Sequence, residues 1–501
     1  MSRSVAIDVA SAPTVAAVRA SDPRRWTMLA GLCGLLAVWI LVIPPFAGSD
    51  EHDHAYRAAA AAQGQWGIDP VAATRGTGAF LRVPAHIVEA AQIECEDLSY
   101  TEARDCVGTV AGSDRIVASG AGRYHPLFYA VVGTAAKPFE GSAALYAMRI
   151  ATALLAAGFV LLAVRSASTW ARTRWPYVGI AVACTPVALY SSTVAAPNGV
   201  EMMSALALWM SLLGLLLAPP EAIRGLAVSA GISGAVLATL RPLGPLWCLL
   251  ILGIVLVAIR PVRGRVSVLL RNPFALGGAG LVLLSAVQST VWVLAVDALK
   301  LGVEGESHTS VGHRLGVAAT QFPAWVLQTI AAFPLRNDAS HPAVYGCYLI
   351  LFGVLVVLGL RSGTRRVRIA IGLVVCIVLL FPYATTVQSW DQYRAAWQGR
   401  YGLAVAMGIV LLATYALDRS GRTVRGPLGL ALMLLYVTAQ TLGPAHTLLL
   451  EQSQSPQVGS AAWIQPSLAL TILLAGVSAT VLWWGAFGQD APARDRRRAT
   501  R

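Results

Sequence analysis

The sequence predicts an all-α polytopic membrane protein, a bundle of about twelve transmembrane helices with a long first extracytoplasmic loop. Three observations carry this expectation. Of 501 residues, 56% are hydrophobic and only 13% are charged, about half the charged share of an ordinary soluble domain. Mean hydropathy is +0.63. The basic residues, nearly all arginine, fall in short clusters between apolar runs, the distribution expected from positive-inside insertion. These features exclude a soluble enzyme, a disordered regulator and a secreted disulfide scaffold. The net charge of +13 is dispersed over loops, so no nucleic-acid partner is expected.

A helix needs roughly 20 apolar residues to cross a bilayer. Apolar runs lie at 26–46, 143–164, 176–195, 199–217, 225–240, 243–259, 274–297, 343–360, 369–387, 402–417, 426–443 and 466–487. The first follows Arg24 and Arg25 and ends in Ile43-Pro44-Pro45-Phe46. It is too long for a signal-peptide core and lacks a small-residue cleavage site, so it is expected to be retained. Alternating loops then gather Arg165, Arg172 and Arg174, then Arg224, then Arg260 to Arg271 on one side. Arg361 to Arg368, Arg419 to Arg425 and the 488–501 tail join them there. That side is read as cytoplasmic, with both termini on it. Residues 1–25 read as a disordered cytoplasmic segment, and 26–487 as one transmembrane domain. Leu127 to Phe139 is apolar but short and holds Lys137 and Pro138. A span there would invert every later arginine cluster, so a re-entrant or interfacial helix is predicted.

The outer face is unequal. Loop 47–125 carries eleven of the 25 acidic residues and six arginines. Segment 298–342 holds Glu304, Glu306, His308 and His313, with an apolar stretch, Phe322 to Phe333, suited to the membrane surface. Cys95 and Cys106 lie in the long loop, where an oxidising space favours a disulfide. Four other cysteines, Cys33, Cys184, Cys248 and Cys376, lie in apolar runs, where the residue behaves as a small hydrophobe.

Asp50-Glu51-His52-Asp53-His54 is the densest chemistry in the chain, immediately after the first span. In a continuous helix Asp50, Asp53, His54 and Arg57 would share a face. A carboxylate here could act as a general base, and Asp50, Glu51, Asp53 and His54 could together hold a divalent metal. A solvated polar cap after a membrane helix is the competing reading. Arg123-Tyr124-His125-Pro126 closes the long loop, and His125 could bond a polar substrate. Arg149, Arg241, Asn198 and Glu201 fall at the outer ends of spans. Outer arginines oppose the positive-inside trend, and an anionic lipid phosphate would account for them through forked hydrogen bonds; snorkelling to headgroups is the alternative. Trp397-Gln398-Gly399-Arg400-Tyr401, with Arg394 just before it, could clamp a phosphate, or could form an aromatic belt.

Pro44-Pro45-Phe46, Asp50-Glu51 with His54, Tyr124-His125-Pro126-Leu127 and the late Gln398-Gly399-Arg400-Tyr401 together resemble a bacterial family of polytopic predicted membrane proteins of unknown function, related to the GT-C glycosyltransferases. The resemblance covers about 26 to 440. It implies a GT-C-like architecture with surface helices in the first loop and a catalytic acid soon after the first span. Carried onto this chain, that acid is Asp50 or Glu51, with Asp53 an additional candidate. Gly48-Ser49 stands where a proline-containing lead is expected.

The expected activity is that of an inverting glycosyltransferase in the bacterial cytoplasmic membrane. It would take its sugar from a polyprenyl-phosphate donor and pass it to a cell-envelope glycan or lipid on the outer face. Arg400, with Arg241 and Arg149, would hold the leaving phosphate. His54 and His125 would orient groups, and Tyr124, Arg394, Gln398 and Tyr401 would complete the binding site. Membrane lipids are the remaining partners, and a divalent metal is an option rather than a requirement. A transporter or flippase of lipid-linked sugars and a non-catalytic envelope-assembly protein are the alternatives. No repeat relates the two halves, which disfavours transport.

Overall fold

A computed structural model of the chain describes residues 23–67, 78–91, 114–298, 309–333, 339–393, 397–422, 426–454 and 462–488. Cys95, Cys106 and Arg394 lie outside the described residues, as do Glu304, Glu306 and His308.

Among the described residues, ten helices are long and apolar enough to cross a membrane. They include α1 (Pro23–Val42), α5 (Gly141–Ser168), α8 (Asn198–Leu217), α9 (Ile223–Leu240) and α12 (Pro273–Ala295). The rest are α14 (Pro342–Ser362), α15 (Arg365–Gln388), α17 (Leu403–Ser420), α18 (Pro427–Gln454) and α19 (Leu468–Phe487). The two remaining apolar runs of the sequence take other forms. Run 176–195 becomes a broken pair, α6 (Trp175–Ala183) and α7 (Pro186–Ser191). Pro186 cannot donate to the preceding turn, and Thr185 caps the new helix by accepting from the Ala188 N–H. The Cys184 carbonyl, freed at the break, accepts from Tyr348 at 3.2 Å and Gln440 at 2.8 Å. Run 243–259 becomes the 15-residue α10 (Gly244–Ala258), followed by a short exposed helix, α11 (Arg263–Arg271).

α8 and α17 are enclosed on nearly every side and form the centre of the bundle. α12 stands at its edge, with only Ser289 buried. Small residues let it approach α9: a Cβ on Gly231 would lie 2.9 Å from the Gly278 Cα, the close backbone contact that membrane helices favour.

The face carrying loop 47–139, here the loop face, holds the remaining elements: α2 (Glu51–Ala62), α3 (Ala85–Ala91), α4 (Pro126–Ala136), α13 (Val311–Gln328) and the one-turn α16 (Trp390–Tyr393). At 11 residues, α4 is too short to span, as the arginine distribution requires. It packs on α2, where a Cβ on Gly133 would strike the Ala58 carbonyl. One departure from an all-α chain is an antiparallel pair, β1 (Ala79–Pro84) and β2 (Asp114–Ser119), with Ala79 opposite Ser119. It lies against α2 and roofs the acidic cluster.

Candidate functional site

The three carboxylates of the acidic cluster have three different fates. Glu51 is fully buried against Arg149. Arg149 Nε donates to Glu51 Oε1 at 2.8 Å and Nη2 donates to Oε2 at 2.6 Å. The same guanidinium donates to the carbonyls of Ile40, Ile43 and Pro44, which end the first span. Glu51 in turn accepts from the backbone N–H groups of Gly48 and Ala195. Every strong site on both partners is occupied. This corrects two expectations: Glu51 is a counter-ion rather than a free base, and Arg149 is a structural clamp rather than a phosphate ligand.

Asp53 is turned toward β2. Its Oδ1 accepts from the Gly120 N–H at 2.6 Å, and its carbonyl accepts from the Ser119 hydroxyl at 2.8 Å. It fixes the roof of the cluster.

Asp50 is the carboxylate left accessible, with its side chain 60% exposed. Its backbone is left-handed, φ 55° and ψ 21°, and its side chain makes no capping bond to α2. The αL region is uncommon for a residue with a Cβ, although aspartate tolerates it. Strain of this kind collects at functional positions. Because the helix starts at Glu51, Asp50 does not share the face of Asp53, His54 and Arg57, which also corrects the sequence expectation. The carboxylate lies 3.9 Å from Nη2 of Arg400. Arg400 is 2% exposed and donates to the Ser49 hydroxyl at 3.0 Å, while its Nε makes no hydrogen bond among the described residues. Gly399 serves the fold: a Cβ there would strike the Trp325 carbonyl, and its N–H donates to the Gln328 side chain. The Oε1 of Gln398 is buried and unbonded among the described residues.

His54 bonds the Tyr129 hydroxyl through Nδ1 at 2.7 Å. Burial, reinforced by Arg241, His52 and Arg400, lowers its pKa to about 3, so it stays neutral at physiological pH. Arg57 donates to the carbonyls of Gln65, Trp66 and Tyr124, tying the end of the long loop to α2. Among the described residues, no three His, Cys, Asp or Glu side chains converge as a metal site. With Glu51 spent on Arg149, Asp53 on Gly120 and His54 on Tyr129, the residues do not fit the divalent ion that the sequence allowed.

Beside the cluster is a cavity of about 360 Å³ lined by Gly120, Tyr124, His125, Glu201, Arg241 and Tyr401, with Trp247, Trp292 and Trp397 as its aromatic walls. With Arg123, Arg241 supplies its cations among the described residues. It follows α9 in extended backbone, and donates to Asn198 Oδ1 at 2.9 Å and to the Tyr124 hydroxyl at 3.3 Å. Its guanidinium lies 4.6 Å from the centre of the Tyr401 ring. His125 caps α4 by accepting from the Leu127 N–H at Nδ1, and its Nε2 is 2.7 Å from the Gln288 amide. Accepting at Nδ1 leaves Nε2 as the donor, so the Gln288 amide oxygen belongs on that side. Burial lowers the His125 pKa.

The structure therefore brings Asp50, Arg400, Tyr401, Arg241, Tyr124, His125 and His54 to one region, and withdraws Glu51, Arg149 and Asp53 into the scaffold. Sequence reasoning missed Ser49, Gln288, Trp247 and Trp292. Gln288-Ser289 interrupting an apolar run was the available signal for the α12 wall.

No curated protein and no solved structure matches the chain. The predicted membrane protein family DUF2142 matches residues 33–409. This match takes in Asp50, Arg241 and Arg400, and ends inside α17. The chain is a polytopic membrane protein and belongs to that family.

Proposed function

We propose that the protein is a membrane glycosyltransferase that moves a sugar from a polyprenyl-phosphate donor to a cell-envelope acceptor on the outer face of the bacterial cytoplasmic membrane. One observation carries this reading. Asp50 is the single carboxylate of the cluster left accessible, it is held in a left-handed backbone, and it stands beside the buried Arg400, whose sequence neighbour Tyr401 lines the arginine- and aromatic-walled cavity. A base and a phosphate ligand side by side are what displacement at an anomeric carbon requires.

In the proposed reaction the acceptor hydroxyl attacks the anomeric carbon. The new C–O bond forms as the bond from that carbon to the phosphate oxygen breaks, inverting the centre. Asp50 takes the hydroxyl proton, and polyprenyl phosphate leaves. Arg400 and Arg241 stabilise the charge that grows on the leaving oxygen. The enclosed guanidiniums cost little reorganisation, because Ser49, Asn198, Tyr124 and Tyr401 already hold them. A flippase would need polar groups along its path through the membrane. The polar groups at the α6–α7 break instead bond one another.

Native mass spectrometry of the purified protein in nanodiscs tests the lipid. Polyprenyl monophosphate is expected to bind in preference to phosphatidylglycerol. Arg400→Gln should weaken that binding by about 10- to 100-fold, the worth of one charge-assisted hydrogen bond, compared at matched amounts of folded protein. Equal binding of the two lipids by wild type overturns the reading.

A further inference from the structure

Of the arginine–carboxylate pairs on the loop face, two with a buried carboxylate are built in opposite ways. Glu51 and Arg149 are closed on each other, with contacts of 2.6 and 2.8 Å and no further capacity. Glu201 and Arg241 are open. Glu201 lies in the first turn of α8 with its side chain 4% exposed, and its Oε2 is 4.0 Å from Arg241 Nη1, beyond hydrogen-bond distance. Arg241 instead donates its hydrogen bonds to neutral partners, Asn198 and Tyr124. Both members of the open pair line the cavity. Among the described residues lining it, Glu201 is the one carboxylate, and it was not among the expected catalytic acids.

An ionised carboxylate only accepts hydrogen bonds. A guanidinium only donates them. Set 4.0 Å apart on one wall, with Trp292 and Trp397 on others, they suit a ligand whose anionic group adjoins a ring bearing hydroxyls. They do not suit a bare anion. Anything negative bound to Arg241 also stands beside Glu201, and negative charge on that carboxylate repels it.

We propose that Glu201 is a specificity residue: it accepts a hydrogen bond from a sugar hydroxyl next to the phosphate on Arg241, and it disfavours the same lipid phosphate once the sugar has gone. This rests on the glycosyltransferase reading and names how its site tells donor from product. The donor is a phosphodiester with one negative charge. The product is a phosphomonoester with about 1.5 to 2 negative charges at pH 7. Transfer thus removes the hydroxyl that Glu201 holds and adds charge that it repels. Both changes favour release of the spent lipid.

The test is a tryptophan-fluorescence titration of the purified protein, since Trp247, Trp292 and Trp397 line the cavity. The probes are bare polyprenyl monophosphate and the same lipid carrying mannose, glucose or arabinose. Wild type is expected to bind one sugar-bearing lipid more tightly than the bare one. Glu201→Gln should weaken the sugar lipid and tighten the bare lipid, shifting their affinity ratio by about tenfold or more. Glu201→Asp keeps the charge but shortens the reach, so it should weaken the sugar lipid and leave the bare lipid within about twofold. It provides the readout where Glu201→Gln does not fold. The proposal is overturned if the ratio is the same in wild type and both folded variants, or if both lipids weaken equally. Wild type that binds neither lipid contradicts the glycosyltransferase reading itself, which separates the two failures.

Discussion

Membranes carrying Asp50→Asn are expected to transfer sugar about 10²- to 10⁴-fold more slowly than wild type, the usual contribution of a positioned general base. The protein itself should remain folded. Asp50 is 60% exposed and makes no capping bond to α2, so exchanging a carboxylate oxygen for an amide leaves the packing alone. Asparagine also tolerates the left-handed backbone that Asp50 adopts. The measurement is transfer rate at matched protein abundance, read beside the melting temperature. Donor binding should change little, because the acid acts on the acceptor proton. A variant that turns over at the wild-type rate would remove Asp50 from the chemistry.

Arg149→Met is expected to act in the opposite manner, destabilising the protein by about 3–5 kcal/mol by leaving Glu51 buried and unpaired. It also frees the carbonyls of Ile40, Ile43 and Pro44, which hold the end of the first span over the site. Thermal unfolding in detergent should show a large drop in midpoint, with little folded protein at growth temperature. Glu51→Gln with Arg149→Met should recover part of the loss, since no uncompensated charge remains. Had Arg149 been a phosphate ligand, the single variant would keep its melting temperature and lose only lipid binding.

These two positions also show what was legible beforehand. The helical runs were readable because apolar length and arginine clusters report the membrane directly. Among the described residues ten of the twelve expected spans are single helices long enough to cross, while 176–195 broke and 243–259 stayed short; the separate segment at 127–139 became the short α4. The break at Cys184-Thr185-Pro186 sat inside one run, and its proline was the local sign. The paired strands were hidden in the loop, because Ala79–Pro84 and Asp114–Ser119 are short and distant in sequence. Within the acidic cluster, residue type marked the place but not the roles. Glu51 and Asp50 are neighbours, yet one meets Arg149 from 98 positions away and the other meets Arg400, a residue much farther along the chain. Partners of that kind follow from tertiary packing and leave no periodic signature. For the same reason Glu201 was grouped only with Arg149, Asn198 and Arg241 as polar residues at the outer ends of spans, until packing set it 4.0 Å from Arg241 in the cavity.

Mass spectrometry of the lipids and envelope of a deletion strain tests the central claim most directly. A glycosyltransferase of this kind predicts that one polyprenyl-phosphate sugar accumulates and one envelope sugar disappears. Wild type should restore both, and Asp50→Asn at equal abundance should restore neither. An unchanged lipid pool and an intact envelope in the deletion strain, or full restoration by Asp50→Asn, would contradict it.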